Sequence, residues 1–249
     1  MHRDPIQELP VIFSSSLKGA FRQAIEDAHE NAADAIKEDI RYIFGNEVRN
    51  NGAVQPGKYI FHEARLLSLP VRSPARPYIQ STSPQVLEEL VSHFEIMKFG
   101  KKEVLENMKK GVNITIQTGE PEVANEEIID EFPENKIKKL SDASKNAIRL
   151  FEQQGLLSSP MALLHIKDFK EVCERLPVIA RNQLENGVSQ NLFYEEVVPR
   201  QTQFYFFVER PEDHDTFFTY LNKDLNMRVQ IGANASIGYG VCTLKRISL

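Results

Sequence analysis

Ile231–Leu244 reads IGANASIGYGVCTL and places three of the chain's twelve glycines within nine residues. Strand-like residues lie on both sides, Arg228–Ile231 before the glycines and Tyr239–Ile247 from their end. A dinucleotide-binding glycine loop leaves a strand and opens a helix, so a strand-to-strand placement fails the doubly wound reading on context. A Walker loop needs Gly-Lys-Ser or Gly-Lys-Thr, which is absent here. Two readings stay open. The glycines supply positive φ to a wide hairpin, or Gly232, Gly238 and Gly240, with Asn234 between them, let the main chain approach a ligand through its amides.

Outward from this loop the pattern is mixed. Pro10–Phe13 reads as a strand end, and Ser14 or Ser15 as the N-cap of a helix to about Ala32, with Leu17, Phe21 and Ile25 at helical spacing. A second helix carries Ile36, Ile40, Ile43 and Phe44 and stops at Gly45. Loop chemistry fills 50–57, and 58–73 reads as extended, with Pro70 demoting its end to an edge or bulge. Tyr78–Thr82 is β-prone, and Ser83-Pro84 opens a helix whose Leu87, Leu90, Val91 and Phe94 share one face. Residues 98–137 change character, from basic KFGKKEVLENMKKG through a strand-like NITIQT to the acidic stretch 120–134. They are expected to form an insertion projecting from the core, with a β-hairpin as its expected form. Further on, the pattern predicts a helix from Asp142, a strand at 161–166, a helix over 169–184, a buried strand at 203–208 and a helix at 216–221. Without strict βαβ alternation or a short repeat, this predicts an α+β fold of ferredoxin-like type, a single domain over 1–249 with helices on one face of its sheet.

Composition bounds the partners. A hydrophobic fraction of 41% and a charged fraction of 26% are those of an ordinary globular protein. No apolar run approaches the ~20 residues that span a bilayer, and the amino end lacks the order of a signal peptide, so the expected compartment is the cytoplasm. Cys173 and Cys242 have no zinc or disulfide spacing around them. A net charge of −5 tells against indiscriminate nucleic-acid binding. Any RNA contact must therefore be local.

SSSLKG, Ser14–Gly19, reads as a plain helix start or as an anion site. Ser14, Ser15 and Ser16 bring hydroxyls, the first turn brings free amides, and Lys18 brings a charge. The six histidines are scattered, with no HExxH and no GxSxG elbow, so no catalytic grouping emerges. His165 reads as a core or edge residue. QFYFFV, Gln203–Val208, lacks interleaved cations and reads as core instead of a base-stacking platform.

RDPIQELPVIFSSSLKGAFR, PVRSPARPYIQSTSPQVLEEL, NLFYEEVVPRQTQFYFF and IGANASIGYGVCTL together, in this order, resemble the RAMP superfamily, and within it the repeated backbone subunit of type III-B (Cmr) CRISPR effector complexes. The resemblance covers nearly the whole chain. It implies an RRM-derived palm that polymerises with copies of itself and with other Cmr subunits along a CRISPR RNA, opposite a complementary target RNA. It implies guide contacts from Ser14, Ser15, Ser16, Lys18, Arg22 and the loop Gly232, Asn234, Gly238 and Gly240, with Arg72 and Arg76 as further backbone contacts. It implies a thumb, for which 98–137 is the candidate. The complete family form is a metal-dependent endoribonuclease, with magnesium as the expected ion, whose Asp lies just upstream of an Arg-Glu or Arg-Asp pair. Here the pair is Arg3-Asp4, so that Asp would fall before Met1, and the usual first strand would be missing too. Arg3 would flank the cleavage site. The expectation is a chain that binds guide RNA, assembles less well than a longer relative and does not cleave by itself, with a non-catalytic scaffold as the rival, including a subunit of type III-A kind.

Overall fold

A computed structural model of the chain describes residues 1–30, 33–46, 55–115, 121–123, 129–132 and 136–249. The chain forms two units interleaved in sequence. One comprises Met1–Val11, Leu66–Tyr205 and Ile247–Leu249, and the other Ile12–Arg65 and Phe206–Arg246.

The first unit carries the main sheet. Its strands are β1 (Val11–Ile12), β3 (Ala64–Val71), β4 (Ile79–Thr82), β5 (Glu122–Val123), β6 (Lys138–Lys139), β7 (Met161–Leu163) and β10 (Gln203–Tyr205), in the order β1-β3-β4-β7-β5-β6 with β10 also on β3. The β3–β4 pair is antiparallel and the β4–β7 pair parallel. Parallel neighbours need a long crossover, and this one holds helices α3 (Pro84–Ile96), α4 (Lys102–Thr115) and α5 (Asp142–Gln153). Leu66, Leu69, Ile79 and Ala162 from the strands pack with Phe169 and Val172 of α6 (Ile166–Glu174) in one buried cluster. Two buried hydroxyls of the sheet are satisfied by its own backbone: Ser81 Oγ donates to Leu69 O at 2.9 Å and Thr82 Oγ1 to Leu67 O at 2.7 Å.

The second unit is built on aromatic packing. It holds α1 (Ser14–Ala28), α2 (Asp34–Phe44), the paired β2 (Ile60–Phe61) and β11 (Val208–Glu209), α7 (Thr216–Lys223) and the hairpin β12 (Arg228–Gln230)–β13 (Val241–Thr243). Phe217 of α7 is fully buried and meets Phe21 and Phe61 edge-on, each with ring centroids at 5.2 Å. Such T-shaped pairs add to the hydrophobic gain because a ring's positive edge meets its neighbour's negative face.

The fold is mixed α/β with helices packed on sheet, as the α+β expectation requires. Several local expectations differ. The N-cap of α1 is Phe13, with no side-chain cap bond; Ser14 is already the first helical residue, and the helix ends at Ala28. β3 continues through Pro70, which pairs with Gln80 inside the ladder. Within 98–137, Asn113–Thr115 extend α4 as helix, because Leu105, Met108 and Val112 bury one stripe and α4 packs between α3 and α5. The rest of NITIQT, part of the acidic stretch and most of the loop 50–57 lie outside the described residues. The expected helix over 169–184 is two elements: α6 stops at Glu174, and β8 (Val178–Glu185) pairs antiparallel with β9 (Val188–Glu196). Pro177 cannot continue a helix, and Asn186 and Gly187 take φ of 51° and 78°, the paired left-handed geometry of a two-residue hairpin turn. Residues 203–208 are half-buried and split between β10 and β11.

Candidate nucleic-acid interface

The glycine loop is an exposed hairpin connection. β12 and β13 align Arg228 with Thr243, Val229 with Cys242 and Gln230 with Val241. Ile231 N donates to Gly240 O at 2.8 Å and closes the neck. Gln230 Nε2 braces it with bonds to Gly232 O at 2.8 Å and Tyr239 O at 3.4 Å, and the Cys242 thiol points to Gly240 O at 3.3 Å. Between them Ala235–Ile237 make a 3-10 turn.

The loop's left-handed backbone is what the glycines serve. Gly232, Asn234, Gly238 and Gly240 have φ of 94°, 66°, 84° and 74°. The two readings of the loop are both true, but of different residues. A Cβ on Gly240 would sit 2.1 Å from Ile231 O, so this glycine is required by the hairpin itself. A Cβ on Gly232 or Gly238 would meet nothing within 4 Å, so open space lies beside both residues, although Gly238 N donates to Ala235 O at 2.9 Å within the loop. Gly240→Ala is therefore expected to cost more than the ~1–2 kcal/mol of left-handed strain, and Gly238→Ala only that strain. Urea unfolding midpoints with equal m-values check the ordering; equal losses would mean the neck is not close-packed.

Helix α1 places the other half. Leu17, Phe21 and Ile25 form its buried stripe, and α1 packs against β12, whose Val229 is buried. The strand entering the loop and the SSSLKG helix thus lie side by side within one unit. Ser14, Ser15 and Ser16 are exposed, Lys18 is half-buried, and with no side chain capping the helix its first amides keep their donor capacity. An uncapped helix start beside an exposed glycine loop suits an anion or sugar-phosphate. Burial raises the Cys242 thiol, and burial pushes Cys173, in the other unit, up to about 12.

Other predicted residues have different employment. Arg22 Nε bonds Glu26 Oε1 at 2.8 Å and its Nη1 donates to Gly45 O at 3.3 Å, tying α1 to the end of α2. Arg72 belongs to the sheet-bearing unit, where Nε meets Glu131 Oε1 at 3.1 Å. Arg3 donates to Glu8 O at 3.0 Å, to Cys173 O at 2.8 Å and to Glu196 Oε1 at 2.5 Å, which anchors the base of the β8–β9 hairpin. Asp4 Oδ1 accepts from the amides of Ile6 and Gln7 at 2.9 and 2.6 Å, a turn role. His165 accepts from Lys167 N at 3.3 Å and caps α6. Sequence reasoning passed over Gln230, the loop's brace, and Arg228, an exposed cation on the same strand. Their signal was alternation: in Arg-Val-Gln the buried Val229 turns its neighbours to the opposite face.

A family model for the RAMP superfamily matches residues 1–243. The chain is similar to the CRISPR system Cmr endoribonuclease Cmr4 of Pyrococcus furiosus, at 27% identity over 262 aligned positions that cover 96% of this chain and 85% of that protein. Its fold resembles the crystal structure of oligomeric Cmr4 from Pyrococcus furiosus, with a TM-score of 0.66 at 23% identity, covering 97% of this chain and 88% of that one. It also resembles a chain in the cryo-EM structure of the type III-B Cmr-beta bound to cognate target RNA, with a TM-score of 0.69 at 20% identity, covering 97% and 85%.

Proposed function

The chain belongs to the RAMP superfamily, and from that premise we propose that it is a guide-RNA-binding backbone subunit of a type III-B CRISPR effector complex. Its partners in this reading are a CRISPR RNA, a complementary target RNA, copies of itself and other Cmr subunits, in the cytoplasm. The observation that carries the proposal is the exposed, positive-φ loop Gly232–Gly240 on a hairpin packed beside the SSSLKG helix. The similarity to a protein named Cmr4 and to a chain solved with cognate target RNA supports it.

Lys18 supplies a mobile ammonium to one guide phosphate. Ser14, Ser15 and Ser16 offer hydroxyls and helix-start amides, and Gly232, Asn234 and Gly238 present main chain to ribose and phosphate. Such contacts position RNA without reading it, and base pairing reads the target. A chain of net charge −5 can work this way because weak sites repeated along a filament add through avidity. We read the domain as an RRM-derived, ferredoxin-like palm matched across both units. The exposed β8–β9 hairpin is a better shaped thumb than 98–137, whose described part is largely the packed helix α4.

A second reading rests on the amino end. Family cleavage calls for a divalent metal, magnesium being the expected ion, and the residues described here do not form its seat. Asp4 spends Oδ1 on two amides, Arg3 gives three of its five N–H donors to Glu8 O, Cys173 O and Glu196 Oε1, and no group of three or more His, Cys, Asp or Glu suited to a metal occurs among the described residues. The rival reading is a subunit which binds and scaffolds without cutting. The test is purification with Cmr partner subunits followed by sequencing of bound RNA. Short RNAs sharing a repeat-derived 5′ tag are the expected result; random cellular RNA or none would refute the guide-binding role. Magnesium-dependent cleavage by this chain that disappears in Asp4→Ala would refute the scaffold reading.

A further inference from the structure

A cationic concavity lies in the sheet-bearing unit, apart from the glycine loop and the SSSLKG helix, and takes in Arg76, which the resemblance had assigned to the guide backbone. It has a volume of about 500 Å³, and among the described residues its lining carries the cations Arg76, Lys139, Lys145 and Arg149 and the single carboxylate Glu152. Its construction follows from α5. Lys145, Ile148, Arg149 and Glu152 stand at i, i+3, i+4 and i+7, so they share one face of the helix. Ser141 fixes that helix at its start by accepting from Ser144 N at 3.2 Å. The opposite walls come from Arg76 after β3, Lys139 on β6 and the segment entering β7.

The floor is apolar and rigid. Leu140, Ile148 and Met161 are 6%, 3% and 1% exposed, whereas Arg76, Lys139 and Arg149 are exposed at the rim. The acids present are partly occupied: Glu152 accepts from the Ser159 hydroxyl, and Asp142, beside the cavity, pairs with Lys145 Nζ at 3.0 Å. Several like charges around one concave, low-dielectric wall focus the field and concentrate anions. Two guanidinium forks suit the tetrahedral oxygens of phosphate, with the ammonium groups as point charges. Among the described residues the lining has no aromatic ring on which a base could stack, so the recognition chemistry these residues offer is that of phosphate.

We propose that the cavity between Arg76, Lys139 and the Lys145–Arg149 face of α5 is a second phosphate-binding site, distinct from the glycine-loop surface. The phosphate belongs either to the backbone of a nucleic-acid strand or to a small phosphate compound. Arg149 and Lys145 carry the test because Arg149 is exposed and Lys145 half-buried, so neither belongs to the buried stripe of α5.

Inorganic pyrophosphate titrated calorimetrically into the full chain is expected to bind saturably. The Lys145→Glu/Arg149→Glu double variant is expected to bind about 10- to 100-fold more weakly, the value of losing charge-assisted bonds. Measured in the Lys18→Glu chain, which removes the guide-phosphate contact, the same α5-dependent loss is expected, and this separates failure here from failure of the guide-binding proposal, on whose site this one does not rest. In the Lys18→Glu chain, a short single-stranded RNA that displaces pyrophosphate identifies a strand as the source, and RNA that does not displace it identifies a small phosphate compound. If the double reversal does not fold, Arg149→Gln carries the comparison with an expected several-fold loss. No saturable binding by the parent chain, or equal binding by the α5 variants, would overturn the proposal.

Discussion

Lys18→Glu is expected to weaken binding of a guide-length RNA by about 10- to 100-fold per subunit, since a hydrogen bond to a charged group contributes ~1.5–3 kcal/mol. Reversal goes further than removal, because it sets a carboxylate beside the phosphate it should repel. Lys18 is half-buried next to Leu17, on a helix held in place by its Leu17–Phe21–Ile25 stripe. The charge therefore acts from a fixed base, whereas a surface lysine on a loop would adapt. In an assembled filament the loss recurs at every copy, so recovery of RNA with the complex should fall more steeply than single-chain affinity. Fluorescence anisotropy against salt provides the signature. Lys18→Ala should lower the slope of log affinity on log salt by ~0.7, one phosphate's share for a single strand. Unchanged affinity and slope would remove Lys18 from the interface, and the assignment of the helix start would go with it.

Phe217→Ala is the largest stability effect expected, about 3–5 kcal/mol. Phe217 is fully buried, and besides its edge-on pairs with Phe21 and Phe61 it lies 5.9 Å from Tyr59 and 6.1 Å from Phe44, centroid to centroid. One deletion therefore opens a cavity bordered by α1, α2 and β2 at once. Against a typical total of 5–15 kcal/mol the loss is severe. The consequence for function is indirect: α1 would lose Phe21's partner, and Lys18 its fixed base. Hydrogen exchange should show lost protection across α1, α2 and α7, with urea denaturation giving the magnitude. Phe217→Leu should restore much of it, because volume and hydrophobicity return without the ring edges. A loss below ~1 kcal/mol in Phe217→Ala would mean that the aromatic cluster is not the centre of this unit.

Much of the interface was legible because its signals are local. Glycines between two strand-like runs point to positive φ, and the hairpin β12–β13 falls inside the expected runs Arg228–Ile231 and Tyr239–Ile247, although its second strand spans only Val241–Thr243. Leu17, Phe21 and Ile25 announced a buried helix face in the same way. The misreading at 169–184 has an equally local cause. Val172, Leu176, Ile179 and Ala180 fit helical spacing, but Pro177 and Asn186-Gly187 outweigh them, since a ring without an N–H and a left-handed pair leave the backbone no helical option. At 113–115 the conflict resolves the other way: β-prone residues follow the helix that Leu105, Met108 and Val112 bury.

By itself the sequence determined where the backbone must turn, which faces are apolar and which family the motifs resemble, because φ preference and side-chain periodicity are properties of neighbouring residues. Only the tertiary structure decided which cations are committed. Arg22, Arg72 and Arg3 look alike as letters, yet each is drawn to acceptors 23, 59 and as many as 193 residues away. The tertiary structure also brought Arg76, Lys139, Lys145 and Arg149 around one concavity. A side chain's free energy depends on the acceptors that long-range packing brings within bonding distance, and linear order does not encode those distances.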